Sequence, residues 1–562
     1  MGDKAIISEL LEASNLTDAY SNLTAKTIIQ QFKPSHHHEG SVKYEGLDGE
    51  TVHISEPEDA QQPPSPEKKP ISFTVDEAVE LLGFGRFQIK LSFLTGLAWM
   101  ADAMEMTILA IISPTLQCEW NISSMEQAMI TTIVFSGMML SSTFWGNICD
   151  RFGRKMGLAY SALMTFSMGA LSALAPNYYC LLVLRGLTGF GIGGAPQSVT
   201  LYAEFLPTAQ RAKCVVLIEA FWAIGAAFEA ILAFFVMHSM GWRYLLFFSS
   251  LPLLVFCISC IWLPESARYQ MASGHVDLAY KTLAKVAYEN RRILPPGELI
   301  DKSSVEGATQ RGNVISLFVR ELRITTLLLW FIWYANSFSY YGLVLFTTVL
   351  FQSNDNCHGG GGNFNSTFIG ECHQLVQDDY FDLLSTTLAE FPGLIITAIT
   401  IEWFGRKVTM GIEFGVFAIF TFLLVFCLSR RTVTTFIFIA RAFISGAFQC
   451  AYVYTPEIYP TTLRAVGLGA SSAMARFGAI ATPFIAQVAA DTSLYIPIIV
   501  YGVAGLLGLI ASLMLPIETK GRQMTVFSLF FGILFNYCLD KIKLKSCFVL
   551  KGVEGNITGS LI

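Results

Sequence analysis

Twelve stretches of this chain are each long and apolar enough to cross a bilayer, and they come as six, a polar interval and six. A span needs about 20 apolar residues. The first six are Leu91–Ser113, Ala128–Cys149, Met156–Ala175, Tyr178–Leu201, Ala212–Met237 and Arg243–Leu263. The second six are Thr325–Phe351, Asp382–Trp403, Val408–Leu428, Thr432–Thr455, Ala465–Ala489 and Ser493–Leu515. Inside hydrocarbon the backbone must satisfy its own N–H and C=O groups, so spans of this length are helices. The expected fold class is an all-α polytopic membrane protein of 12 transmembrane helices, 91–263 forming one six-helix half and 325–515 the other.

Composition agrees. The chain is 53% hydrophobic and 14% charged, where soluble domains carry about 25% charged residues. A net charge of −6 without a basic stripe excludes nucleic acid as partner. The partners expected are the lipid bilayer and a small-molecule solute, with protein partners unknown. The twelve cysteines are read as scattered without a Cys-x-x-Cys pair, so neither a zinc site nor a redox motif is expected, and no metal. No nucleophile–base or metal constellation stands in any loop, which points away from an enzyme.

Outside the spans, residues 1–73 are polar and Pro-containing and are expected to form a disordered cytosolic tail. Its "SHHHEG" (Ser35–Gly40) reads as polar residues in that tail. Residues 74–90 carry a Thr cap candidate, acids in the first turn and helical apolar spacing, which predicts an amphipathic helix on the membrane surface. Residues 264–324 read as a cytosolic central loop and 516–562 as a cytosolic tail. The tail's apolar run Thr525–Leu539 is short for a span and suits an interfacial helix.

Lys and Arg set the orientation. With both termini cytosolic, the inner loops hold Arg151, Arg154, Lys155, Arg211, Lys213, Arg406, Lys407 and Arg464, and the outer loops only Arg243, Arg430 and Arg431. Sequons at Asn121 and Asn365 then face outward and are expected to be glycosylated. Those at Asn15 and Asn22 stay bare. A disulfide between Cys357 and Cys372 is permitted on the outer side.

"DRFGRK" (Asp150–Lys155) returns 252 positions later as "EWFGRK" (Glu402–Lys407). "LPES" (Leu263–Ser266) and "LPIE" (Leu515–Glu518) share that offset, and Glu204 and Glu457 nearly so. Two homologous six-helix halves arranged as parallel repeats mark one class of secondary transporter, with its site between the halves at mid-membrane. Each half can assemble a gating network at the inner face: Asp150, Arg154, Glu204, Arg211 and Glu265, then Glu402, Arg406, Glu457, Arg464 and Glu518. Insertion alone needs only Lys and Arg, whereas here acids recur as well.

Charges inside spans are costly and mark substrate or ion paths. The candidates for substrate or proton coupling are Asp102, Glu105, Arg185, Glu219, Glu229, Glu390, Arg441 and Arg476. Asp102 and Glu105 share a helix face. Trp99, Trp222, Trp333, Tyr334, Tyr340 and Tyr341 are candidate cavity walls. "GFGIGG" (Gly189–Gly194) matches a dinucleotide fingerprint, but it lies inside an apolar segment, where close helix packing explains it better.

"GNICDRFGRKMG", "LPESARY", "LRGLTGFGIGG" and "LPIETKGR" resemble signatures of the major facilitator superfamily, in its sugar and organic-ion branch and its vesicle-membrane members. The resemblance runs from about Thr74 to Arg522 and departs from the family's short polar ending over 523–562. It implies the major facilitator fold and alternating-access transport of a small organic solute or ion in a synaptic or secretory vesicle membrane. It also leaves open a transporter-like vesicle protein with a regulatory, receptor or nucleotide-binding role. In proton-coupled relatives an acid of the first span faces an arginine of the fourth, so the resemblance implies Asp102 opposite Arg185, with Glu105 as second acid. The residues call for no cofactor. Proton coupling is compatible with the family, and nucleotide binding, attributed to one member, has no location here.

Overall fold

The computed structural model describes residues 72–300, 314–352, 375–426, 428–460 and 463–520, without the side chains of 209, 212, 213, 215, 216 and 465. The first half is built of Arg86–Trp120, Ser124–Phe152, Arg154–Ser172, a fourth span in two pieces (Tyr178–Ile192 and Pro196–Glu204), Thr208–Ser239 and Trp242–Ser259. The second half is built of Arg323–Gln352, an eighth span in two pieces (Gln377–Thr387 and Glu390–Trp403), Arg406–Leu423 and Arg430–Ile458. Its eleventh span starts at Arg464–Pro483 and passes through a π-helical turn, Phe484–Ala489, to Ala490–Thr492; the twelfth is Tyr495–Met514. Eight of these helical stretches are long and apolar enough to cross a membrane by length and composition alone.

The two "GRK" loops lie at one end of the bundle, here the motif end. Each turn is made by a glycine in the left-handed region, Gly153 at φ +101° and Gly405 at φ +87°. Any other residue is strained there. A Cβ would also collide, at 2.3 Å from Glu265 Oε2 in the first loop and 2.7 Å from Glu518 Cδ in the second. The repeat therefore encodes one device twice: a glycine turn against which a glutamate from the end of the same half is pressed.

Other glycines serve close packing. A Cβ on Gly189 would lie 2.2 Å from the carbonyl oxygen of Val134, and one on Gly193 would meet Ser141 Oγ and the carbonyl of Met138. "GFGIGG" thus fits the fourth span against the second and third, as small residues do between membrane helices.

Three expectations are corrected. The predicted 74–90 helix is two helices. Thr74 and Glu77 form a reciprocal cap on Val75–Leu82, which stops at Gly83 (φ +61°), and the first span starts at Arg86. Its apolar face, Val75, Ala78, Val79 and Leu82, is buried in the protein's own core beside Leu283 and Val286. The central "loop" carries helices Ala267–Ala272 and Val276–Asn290. The Asn290 side chain accepts from the Phe87 N–H at 3.0 Å and donates to Gln88 at 2.8 Å, while Ser72–Phe73 pairs in parallel with Glu298–Leu299. One Cys-x-x-Cys pair does occur, Cys257 and Cys260 in the sixth span, and both are free thiols. Cys118 is disulfide-bonded. Asn365, Cys357, Cys372, the polar tail through residue 71 and the tail beyond residue 520 lie outside the described residues.

Candidate functional site

Spans two and eleven, five and eight, and one and seven meet across the two halves. Hydrogen bonds between the halves lie at mid-span and toward the end opposite the motifs, here the far end. Gln487, on the π-helical turn, donates to Ser113 Oγ at 2.9 Å, and Ser124 donates to Asp491. Apolar residues of both halves close the far end in one cluster, among them Leu116, Ile112, Tyr380 and Leu383. At the motif end, the cluster holding Leu201, Phe205 and Phe256 contains no second-half residue among the described ones.

Between these ends lies a cleft on the seam between the halves, lined by residues of both. Its walls carry Trp99, Asp102, Glu219, Trp222, Tyr340, Tyr341, Phe448, Gln449, Tyr452 and Arg476. Asp102 sits about 24 Å along the first span at 1.5 Å per residue, near its middle. Asp102 is buried, and it makes no hydrogen bond or ion pair among the described residues. Arg476 uses one guanidinium N–H on the sulfur of Met138, at 3.7 Å, across the seam between spans two and eleven. Glu219 accepts from Trp99 Nε1 at 3.1 Å and from Gln449 Nε2 at 3.2 Å, the second bond also crossing between halves.

The remaining intramembrane charges lie behind these walls. Arg185 does not face Asp102. It donates to Glu105 at 2.8 Å and to Ser172 Oγ at 2.6 Å, both partners of the pair being under 3% exposed. The reading that set Asp102 opposite Arg185 is corrected to Glu105. Three residues along a helix turn a side chain by about 300°, enough to aim Glu105 at the fourth span and Asp102 at the cleft. Arg441 donates twice to Glu390, at 3.0 and 2.9 Å. This second pair reaches the cleft through a chain: Trp222 Nε1 donates to the Tyr340 hydroxyl at 2.9 Å, which donates to Glu390 at 2.7 Å. Glu229 is away from the cleft and accepts from Ser249 at 2.8 Å. Of the other aromatic candidates, Trp333 is buried behind the cleft and donates to Thr455 at 2.9 Å; Tyr334 stacks on Phe338.

Sequence reasoning missed Gln449, Phe448, Tyr452 and the buried Glu413, which accepts from Thr397 at 2.5 Å. A lone amide or aromatic on an apolar span carries no signal. Glu413 in "GIEFG" does, because a charge inside an apolar run is rare.

At the motif end Arg154 pairs with Asp150 at 2.9 Å and Glu204 at 3.4 Å, and Arg406 pairs with Glu457 at 3.0 Å. Glu265 and Glu518 work as caps. Glu265 accepts from the N–H of Arg154 at 2.8 Å, and Glu518 from that of Arg406 at 2.9 Å. Burial holds the Glu265 carboxyl above its ordinary range despite the N–H groups aimed at it. Arg211 donates instead to the carbonyl of Leu206, and neither it nor Arg464 joins a carboxylate among the described residues, which takes both out of the expected networks. Glu402 lies in the last turn before the second loop.

A profile of the family described as "Sugar (and other) transporter" matches residues 54–377. The Caenorhabditis elegans protein svop-1 is 66% identical over 93% of this chain and 99% of its own length. The rat synaptic vesicle 2-related protein is 56% identical over 81% of this chain and 82% of its own. In fold, the chain is similar to the xylose transporter XylE of E. coli in a partially occluded inward-open conformation. The TM-score is 0.59 and the identity 17%, over 77% of this chain and 99% of that one. With the profile covering more than half of the sequence and svop-1 nearly all of it, the chain belongs to the sugar (and other) transporter family.

Proposed function

We propose that this protein is a secondary transporter of a small organic solute, acting by alternating access in a synaptic or secretory vesicle membrane with both termini cytosolic. One observation carries the reading: a charged mid-membrane cleft, closed by contacts between the halves at the far end and flanked by separate apolar clusters at the motif end. In this reading the motif end is cytosolic and is the open side. Rocking the halves about the cleft would separate Gln487 from Ser113 and Asp491 from Ser124. The Arg154 and Arg406 networks each hold one half's loop, so they act as rigid pads that meet when the cytosolic side closes. Asp102 is the proton-coupling candidate on the cleft wall, and Glu105–Arg185 braces the helix that carries it. The similarity to the rat synaptic vesicle 2-related protein supports the vesicle assignment.

The test is purified protein in liposomes, screened for solute flux with and without a pH gradient. Solute entry that needs the protein, with gradient-driven accumulation lost in Asp102→Asn, is the expected result. Accumulation unchanged in a stable Asp102→Asn variant would remove Asp102 from the coupling step. No flux for any solute that binds would favour a receptor role.

A further inference from the structure

The cleft holds two unpaired charges of opposite sign. Asp102 is 4% exposed, and its Oδ1 has no hydrogen-bond partner. Arg476 lines the same cleft with a single contact to a thioether, a weak acceptor, for its five N–H donors. Elsewhere in the membrane core, Arg185 and Arg441 are each paired with a carboxylate at 3.0 Å or less. A buried charge without a partner is costly, by several kcal/mol in general terms. Asp102 is such a charge; Arg476 is half-buried with most of its donors unused, and a ligand that meets both satisfies them together.

The rest of the lining separates the poles. Trp99 and Trp222 lie with ring centroids 5.8 Å apart, and Trp99 is hydrogen-bonded to Glu219. Indole faces beside carboxylates suit a cationic nitrogen, which gains from the ring quadrupole as well as from the charge. Arg476 offers the planar fork that matches a carboxylate or phosphate. A neutral polyol would satisfy hydrogen bonds but leave both charges uncompensated.

We propose that the solute class is a small zwitterion, its cationic nitrogen held by Asp102, Glu219 and the indoles and its anionic group held by Arg476. This rests on the cleft being the solute site. It also assigns the binding roles: Asp102 and Arg476 read opposite ends of one molecule, and Glu219 supports the cationic end.

The experiment uses the full-length protein in lipid nanodiscs and a matched series of probes. They are trimethylammonium alkanoates of two to five carbons, their methyl esters (cation only), the tert-butyl carbon isosteres (anion only), and D-xylose (neutral). Binding is read by ligand-induced thermal stabilisation and by radioligand competition. At least one zwitterion is expected to bind tenfold or more tightly than its ester and its isostere. Arg476→Gln should erase the preference over the ester alone, and Asp102→Asn the preference over the isostere alone. If a variant does not fold, the selectivity of the wild-type protein decides by itself. Equal binding of zwitterion and ester, tighter binding of D-xylose, or no binding by any charged probe overturns the proposal. Counterflow in liposomes separates the two readings. Zwitterion binding without flux defeats the transporter and leaves the solute class standing. Flux of D-xylose without zwitterion binding does the reverse.

Discussion

The two halves agree at the motif end and part company in the middle of the membrane. Gly153 and Gly405 make the same turn, Glu265 and Glu518 cap the same two N–H groups, and Arg154 and Arg406 reach matching acids at Glu204 and Glu457. At mid-span, however, the first half ties span one to span four through Glu105–Arg185, whereas the second ties span eight to span ten through Glu390–Arg441. By the offset of 252, Glu390 falls on Met138 and Arg441 on Gly189, where the first half packs glycine against backbone. The shared end is mechanics that any cargo needs. The divergent middle is where a particular solute and its coupling are specified.

The comparison breaks most visibly at the second ion pair. Arg441→Ala leaves Glu390 buried without its cation, and the cost expected is about 3–5 kcal/mol. Thermal unfolding in detergent should show a large drop, with Glu390→Gln plus Arg441→Met recovering most of it. Arg185→Ala should cost as much through Glu105. If either single variant matched wild type in stability, its pair would not be holding spans together.

Next come the two loop arginines, alike in sequence and unlike in burial. Arg406 and Glu457 side chains are 4% and 2% exposed, against 19% for Arg154. Arg406→Glu should therefore change cysteine accessibility at the far end several-fold and lower stability. Arg154→Glu should do less, because its partner Asp150 is 58% exposed and exposed pairs are worth about 0–1 kcal/mol. Equal responses would mean that burial does not set the strength of these pads. Unchanged labelling in both would reduce the charges to insertion signals.

A smaller effect tests the glycine seams. Gly189→Ala and Gly393→Ala place a Cβ 2.2 Å and 2.3 Å from the carbonyls of Val134 and Ala442. Both should lose about 1–3 kcal/mol by overpacking. A neutral result at one alone would show that half to be the looser. Last, with no stability cost expected, mass spectrometry should find glycan on Asn121, at the far end of span one, and none on Asn15 or Asn22. Glycan on Asn15 would invert the proposed orientation.

The sequence displayed the helices and the repeat because both are written in period and spacing. A run of apolar residues reports its solvent, and "FGRK" recurs because only glycine makes that turn beside a glutamate. It also displayed which residues carry charge in the membrane. What it hid was pairing. Asp102 and Glu105 are three residues apart, less than a full helical turn, and only the packed angle of span one decides which of them meets Arg185. The cleft's Gln449 and Tyr452 were silent for a related reason: on an apolar helix their identity does not tell which neighbour they face. The helix Val75–Leu82 had a legible cap but not a legible partner, because its apolar stripe fits lipid and protein equally well.

The strand pairing of Ser72–Phe73 with Glu298–Leu299 has a consequence in time. During synthesis at about 5–20 residues per second, the first strand waits roughly 11–45 s for its partner to be made. Contacts so distant in sequence close late. The first half therefore receives its final clasp only once the connector has been translated, just as the second half begins to emerge. A truncation before Val276 would leave the amino-terminal helix without the connector helix it packs against, and such a nascent chain would carry an exposed apolar stripe for chaperones to cover.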